Sequence, residues 1–575
     1  MNTKPQEGGP DASKRQALDA DIAALKAGEQ RWAQTDGPGR SALLAALHEA
    51  VGLAAKEWAK TAAEFKGMDP ESPFIGEEWT SGPYAVLSAL TVLRESVDAI
   101  DRGESPVEKT RFGHAPGGRV TVPVLPHNSY EALLLHGFSA DVWMLPGVTS
   151  GEVRSTAGLG ALTPEATGGV GLVLGAGNVT SIPALDVLYS LIAANRVSIL
   201  KLNPVMDAMG PVFENAYAPL ISRGLLRIVS GGGDVGGYLA HHPDISHVHI
   251  TGSAATHDVV AFGPGEEGRR RKAAGEPSLD KPMTSELGGV SPIIVVPGEW
   301  TDADLRYQAE HVVTQRLHNG GYNCIAGQTV LVSSEWPQKD KFLDAIRDVL
   351  NEVPTRDAWY PGSDDRVSAA LESYPQAERL GPSGQRLLVD VSTDADTMQN
   401  TEYFAPVLGF LELPGLEQDF LDQAVKTVND DFLGTLGANV IVAPETMSSL
   451  GHGFDEAIAN LRYGTIAINA WTALGFLTAA APWGAYPGHT LENVESGIGV
   501  VHNALLLQNP EKTVVRGPFR PFPRSVRHGE FALFPKPPWF VTARSAAATG
   551  RLLTEFAAKP GWLRLPGIFA KAFRA

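Results

Sequence analysis

Val170-Gly171-Leu172-Val173-Leu174, then Gly175-Ala176-Gly177-Asn178, then the apolar run Ile182 to Ala194, then Val197-Ser198-Ile199-Leu200-Lys201 read as strand, turn, helix and strand. The rhythm continues. A helix is expected over Met206 to Arg223, a short strand over Leu226 to Val229, a glycine-rich turn at Gly231-Gly232-Gly233 and a strand closing on Ile250-Thr251-Gly252-Ser253. Alternation of this kind specifies an α/β fold with a parallel sheet covered by helices on both faces. Ligands of such sheets sit beyond the carboxyl ends of the strands. Asn178, Lys201 and Ser253 all fall at or just past predicted strand ends.

Outward from this unit, composition sets the bounds. A chain of 575 residues with 43% hydrophobic content has room for two or three domains. One cysteine excludes an intrachain disulfide framework and fits a reducing compartment. Met1 to Arg15 is polar and unlike a secretory signal, and no apolar run approaches the ~20 residues of a membrane span. A cytoplasmic protein is expected. Net charge is −18, unevenly spread. Residues 510–575 carry 12 Lys and Arg against 3 Asp and Glu, a balance of +9 that leaves the rest at −27. Such an acidic body argues against nucleic acid as a partner.

Residues 1–35 read as a mobile polar lead-in with one helix, Ala17 to Ala27. A stronger helix begins near Ser41, where Leu44, Leu47, Val51, Ala55 and Trp58 make one apolar face. Tyr84 to Ile100 is a second. Residues 119–150 read as extended structure outside the main core. The stretch Gly263 to Pro282, with Arg269-Arg270-Arg271-Lys272, reads as a solvated insertion, with a phosphate or acidic-partner patch as the alternative. Helices are also expected over Asp302 to Leu317, Asp340 to Leu350 and Asp419 to Val428. Strands are expected over Ile293 to Val296, Thr329 to Ser333, Asn439 to Ala443 and Gly464 to Asn469.

The single cysteine lies in His318-Asn319-Gly320-Gly321-Tyr322-Asn323-Cys324-Ile325-Ala326-Gly327. A thiol with an ordinary pKa of about 8.5 is the best neutral-pH nucleophile among side chains. The neighbouring glycines let backbone N–H groups crowd the sulfur, where they could receive the charge of an attacked carbonyl. The alternative is a small buried hydrophobe. Ser285-Glu286-Leu287-Gly288-Gly289 precedes it, with Glu286 38 residues before Cys324 and a strand and a helix between them. That is a suitable length for a βα excursion returning to one cleft.

Together these stretches resemble the aldehyde dehydrogenase superfamily from about Gly169 to Gly488. Gly175-Ala176-Gly177-Asn178, Leu200-Lys201, Ile250-Thr251-Gly252-Ser253, Ser285-Glu286-Leu287-Gly288-Gly289, Asn323-Cys324-Ile325-Ala326-Gly327, Glu402-Tyr403-Phe404-Ala405-Pro406-Val407 and Pro482-Trp483-Gly484 appear in the family's order. The resemblance implies NAD(P)-dependent oxidation of an aldehyde to a carboxylic acid through a thiohemiacetal and a thioester on Cys324. It implies that Asn178 and the Cys324 N–H hold the oxyanion and that Glu286 activates the hydrolytic water. Lys201 and Glu402 would meet the riboses of NAD or NADP, Phe404 would pack near the nicotinamide, and Gly233, Gly252 and Ser253 would line the pyrophosphate. No metal is implied. It implies a homo-oligomer, dimer or tetramer.

The fold expected is therefore a Rossmann-type cofactor domain plus a second α/β catalytic domain. Its segments are an N-terminal helical part (1–118), an extended oligomerisation segment (119–168), the cofactor domain (169–288), the catalytic domain (289–488) and a C-terminal oligomerisation segment with a basic aromatic extension (489–575). Departures bear on the cofactor. Pro204 stands where the family often carries an acidic residue that repels a 2′-phosphate, Gly177 replaces a common Trp, and Ala405 replaces Gly. Trp471 and Phe476 are aromatics at a strand end, either core or substrate tunnel. In the extension, Arg516 to Arg524 alternates cations, prolines and aromatics, Ser545 to Ala558 reads as a helix, and Trp562 to Arg574 is basic and amphipathic. The favoured reading is a tail wrapping the acidic body or a neighbouring subunit; the alternative is peripheral contact with an anionic membrane, suited to a lipophilic aldehyde. Two other activities compete. One is acyl transfer to coenzyme A, or its reverse, which Glu286 argues against because a thiol acceptor needs no water-activating base. The other is a catalytically silent binding protein, which the intact Cys324, Glu286 and Asn178 argue against.

Overall fold

The computed structural model describes residues 9–575; the first part of the polar lead-in, residues 1–8, lies outside the described residues. The rest of that lead-in is not loose. Ala12–Ala33 is one helix, capped by Asp11, which buries Leu18, Ile22, Leu25 and Trp32. With buried Gly28 those positions recur at three- and four-residue spacing, a stripe diluted by the Lys, Asp and Ala between them. Gly37–Phe65 follows, N-capped by Asp36, and packs against Ala85–Asp101 through Leu44, Leu47, Val51 and Trp58.

Two sheets organise the chain. The first runs Gly497–Ile498, Met283–Leu287, His247–Gly252, Val170–Leu174, Val197–Lys201, Leu226–Val229; it is parallel except at Gly497–Ile498. Val170–Leu174 and Val197–Lys201 are buried at every position, which is why they read as continuous apolar runs rather than alternating ones. The expected helix 206–223 is instead three short pieces, Pro204–Met209, Gly210–Ala216 and Ala218–Ile221. Pro211 and Pro219 each begin a new helical segment because neither has an N–H to continue the previous one.

The second sheet has eleven strands. Seven neighbours, from Pro510–Arg516 through Thr465–Ile468, Gly437–Ile441, Ser291–Val295, Gly327–Ser333 and Val407–Leu413 to Arg386–Asp390, are parallel. Arg119–Leu125 and Ser139–Met144 join it antiparallel at the Pro510–Arg516 side. This corrects the placement of residues 119–150 outside the core: Val122, Val124 and Val142 are fully buried. Sequence alternation was hidden because Arg119–Leu125 buries both faces along most of its length.

Two further expectations change. Gly263 to Pro282 is not a plain loop but carries the helix Gly265–Ala274, closed by Gly275 at φ 66°. Within it Arg270 and Arg271 pair with Glu267, and Lys272 pairs with Asp258. Three of the four cations in the run are thus paired locally.

The C-terminal extension makes several ion pairs with acidic residues of the body. Lys536 Nζ meets Glu310 at 2.6 Å, Arg520 meets Glu445 at 3.1 Å and Asp304 at 3.3 Å, and Arg524 also pairs with Asp304. Burial opposes ionisation of Asp304, but hydrogen bonds from Thr301 and the two guanidiniums hold its carboxyl below the ordinary value. A depressed folded pKa contributes stability that is present above the unfolded value and lost as pH falls below about 4. Arg524→Ala is expected to cost about 1 kcal/mol, because Arg520 still neutralises Asp304. Thermal unfolding near neutral pH reads this, and an unchanged midpoint would mean that the Arg524 pair contributes nothing. Phe531, Trp562 and Leu563 stay 76%, 58% and 97% exposed on the extension. No helix among the described residues is long and apolar enough to cross a membrane.

Candidate active site

The nucleophile loop is shaped by a left-handed turn. Asn319 (φ 55°), Gly320 (φ 74°) and Gly321 (φ 86°) follow the helix Asp302–Leu317 and swing the chain back toward the first sheet. A Cβ at Gly321 would lie 3.0 Å from the Arg316 carbonyl and 3.1 Å from that of Ala405, so glycine is required twice over, by conformation and by space. Asn319 pins the turn: its amide donates to the carbonyls of Asn178 and Tyr322, both at 3.1 Å, and its backbone N–H donates to Glu77 at 3.0 Å. Behind it Lys66 and Glu78 form a fully buried ion pair at 2.8 Å, and Lys66 donates to Asn319 Oδ1 at 3.1 Å. A buried pair of this kind holds its place because either charge alone would be strongly unfavourable.

Cys324 emerges from this loop where two cavities meet. One is a crevice of about 470 Å³ along the carboxyl ends of the first sheet; Asn178, Lys201, Gly233, Gly252, Ser253, Glu286, Glu402 and Phe404 all line it. Every site residue expected from sequence is thus brought to one place. The other is a smaller apolar chamber lined by Trp471, Phe476 and Trp483. Trp471 and Phe476 therefore face a chamber rather than serving as core alone.

Within the crevice, Asn178 donates to the Tyr322 carbonyl at 2.9 Å, which aims its amide at the nucleophile loop. Glu286, in strand Met283–Leu287, is buried and accepts from the Trp483 indole at 3.1 Å. Burial pushes its carboxyl up to about 7, and the Asp186 charge adds to this while the Trp483 hydrogen bond opposes it. Burial and the carboxylates of Glu286 and Glu402 push the Cys324 thiol up as well. The resting site thus holds a neutral thiol beside a carboxyl poised to change state near pH 7.

Glu402 is raised to about 8, again by burial, against the pull of Arg316. A Cβ at Gly288 would collide with its carboxylate, so a larger residue there would push the Glu402 side chain aside. Lys201 is lowered by burial, with Asp207 and Asp234 opposing. Ser253 caps the helix Ala254–Phe262, accepting from Thr256 N at 3.2 Å, while Gly233–Ala240 begins with no side-chain cap, leaving its first N–H groups free for an anion. A lysine, two helix N-termini, glycine walls and a buried glutamate suit a dinucleotide. Among the described residues no cluster of His, Cys, Asp and Glu could hold a metal.

Several contributors were not legible from sequence. Arg316, buried and lowered to about 10 by that burial, holds the Gly321 carbonyl at 2.8 Å; it sits on the face of a helix buried nearly all round. Arg366 donates to the Phe404 carbonyl at 3.3 Å and, with Tyr360, completes the crevice wall beside Phe404. Nothing local marks either. Trp483 lay within the quoted Pro482-Trp483-Gly484 stretch without a role.

A family model for aldehyde dehydrogenases matches residues 161–382, a stretch holding Asn178, Lys201, Glu286 and Cys324. Aminoacetaldehyde dehydrogenase of Pseudomonas aeruginosa is 27% identical over 368 residues, covering 60% of this chain and 66% of that protein, just under two thirds of its length. An aldehyde dehydrogenase of Pseudomonas syringae, determined with NAD+ and octanal, superposes with a TM-score of 0.58 at 18% identity over 87% of this chain and 88% of that one. NADP-dependent glyceraldehyde-3-phosphate dehydrogenase of Bacillus halodurans, determined with NADP, superposes with a TM-score of 0.56 at 17% identity over 87% and 91%. At such identities the structural matches speak for the fold, and the family match speaks for the motifs carried on it. Residues 161–382 thus match the aldehyde dehydrogenase family model, within a fold shared with solved aldehyde dehydrogenases.

Proposed function

We propose that this protein oxidises an apolar aldehyde to its carboxylic acid with NAD(P)+, using Cys324 as nucleophile, Glu286 as general base and Asn178 with the Cys324 N–H as oxyanion donors. The observation that carries this is the position of one thiol at the meeting point of a dinucleotide-sized crevice and an apolar chamber. Cys324 Sγ adds to the carbonyl carbon while its proton passes to a base, for which Glu286, raised to about 7, is matched at neutral pH. The oxyanion of the thiohemiacetal faces the Asn178 amide, a donor worth roughly 3–4 kcal/mol in comparable sites. The nicotinamide cofactor supplies the hydride acceptor. Lys201, Glu402 and Phe404 would hold it, together with Gly233, Gly252 and Ser253 of the same crevice. Once Glu286 has released that proton to solvent, it takes one from water, which attacks the remaining thioester, freeing the acid and returning the thiol.

The carboxylates of Asp207 and Asp234 act on Lys201 and supply the negative field that Pro204 lacks. A 2′-phosphate would enter against both, so NAD is favoured over NADP by about tenfold or more in kcat/KM. The test is cofactor reduction over a series of aldehydes with each nucleotide, with and without coenzyme A. Equal use of NADP would remove the assigned role of the two carboxylates. Turnover only with coenzyme A would replace hydrolysis by acyl transfer.

A further inference from the structure

Beyond the Cys324 chamber lies a second apolar space of about 90 Å³, walled on one side by Tyr84, Leu135 and Phe138 and on the other by Phe534, Trp539 and Ile568 of the C-terminal extension. The inner chamber, about 60 Å³, shares Thr80, Leu474, Leu477 and Trp539 with it. The two spaces are therefore neighbours that meet at these four side chains, Trp539 among them, and the inner one reaches Cys324. We infer that the extension is a specificity element: it completes a two-chamber tunnel for the hydrocarbon part of an unbranched alkyl aldehyde, with Trp539 controlling passage from the inner to the outer chamber. This rests on Cys324 being the point of attack.

The lining supports a hydrocarbon occupant. Ser81 and Thr80 line the inner chamber but spend their hydroxyls on their own turn, donating to the Glu77 carbonyl at 2.6 Å and the Gly76 carbonyl at 3.0 Å. His318 packs edge-on against Trp471, with ring centroids 4.9 Å apart. In the outer chamber the carboxylate of Glu131 accepts from the His127 N–H at 2.7 Å and His136 accepts from the Leu533 N–H. The rest of the lining is mostly carbon, with His318 Nδ1 and His136 Nε2 left as buried ring nitrogens without a partner among the described residues, at the inner and outer chamber respectively. An apolar cavity of this kind is a poor host for water, having few groups to hydrogen-bond it, and a good host for methylenes.

Trp539 is fixed rather than loose. Pro537 and Pro538 restrict the chain before it. Immediately after it, Phe540 stacks on His311 and Tyr307, with centroids 5.5 and 5.4 Å apart, and Val541 N–H donates to Thr314 at 3.1 Å. All three partners lie on Asp302–Leu317, the helix that delivers the nucleophile loop. Opposite, Thr80–Tyr84 is a π-helical turn containing Pro83, the type of local opening that recurs at binding sites. The extension is thus registered against the same helix that positions the thiol.

The test is kcat/KM for n-alkanals from propanal to dodecanal. Each methylene buried should raise it about fourfold until the outer chamber is filled. Ile568→Trp, which fills that chamber from the extension, and Leu477→Trp, which fills it from the body, should each lower the decanal-to-propanal ratio by about tenfold or more. Trp539→Ala should move the optimum to longer chains. Calorimetric titration with decanoate gives a readout free of turnover: binding that weakens about tenfold in both filled variants supports the tunnel even if no aldehyde is oxidised, an outcome that would end the redox reading alone. A wild-type ratio in a folded Ile568→Trp and Leu477→Trp, or decanoate binding unaffected by either, overturns the inference.

Discussion

Cys324→Ala is expected to abolish aldehyde-dependent NAD(P)H formation, a loss of about 10⁴-fold or more, if the proposed thiol chemistry holds. No second cysteine exists to take over. The loss should be one of chemistry and not of structure, because the loop is held by residues other than the sulfur: Asn319 through its three donors, Arg316 through the Gly321 carbonyl, and the Lys66–Glu78 pair behind them. Stopped-flow reduction of the nucleotide measures it, with unchanged nucleotide binding as the control for fold. A variant keeping a few per cent of wild-type rate would remove the sulfur from the mechanism.

Glu286→Gln separates the two halves of the reaction. Expected is a single-turnover burst of about one nucleotide reduced per chain, then a steady state slowed by about 10²–10⁴-fold, because the amide cannot take the proton of the hydrolytic water. Wild-type steady-state rate should rise as pH climbs through about 7, the value to which burial raises this carboxyl, and the Gln variant should lose that limb. The same shift has a stability consequence. A carboxyl that binds its proton more tightly in the fold than in the open chain contributes fully at low pH, and that contribution is lost as pH rises toward and through about 7. The Gln variant should therefore gain urea resistance relative to wild type near pH 8, compared with near pH 5. A pH profile shared by the two proteins would assign the limb to another group, with Glu402, raised to about 8, the first to examine.

The elements that sequence placed well are those whose burial is uniform over many residues. Val170–Leu174 and Val197–Lys201 are buried on both faces, and the helix Asp302–Leu317 begins at a Thr301–Asp304 capping box, a strong local start signal. Elements were misjudged where packing overrode composition. Ala12–Ala33 spends only a narrow stripe on the core, and Arg119–Leu125 owes its burial to strand Ser139–Met144 and, through it, to Pro510–Arg516, far along the chain.

By itself the sequence determined the candidate groups: a single thiol in a glycine-rich loop, an acid 38 residues earlier, and an asparagine and a lysine at strand ends. Short-range spacing suffices there because strand ends in a parallel sheet all point to one edge. Only the tertiary structure decided the environment of those groups. The buried Lys66–Glu78 pair behind the Cys324 turn, the burial that lifts Glu286 to about 7 and the Trp539 indole that lines both apolar chambers all depend on segments remote in sequence coming together. Desolvation and cavity shape are properties of what surrounds a residue in space, and no local pattern encodes them.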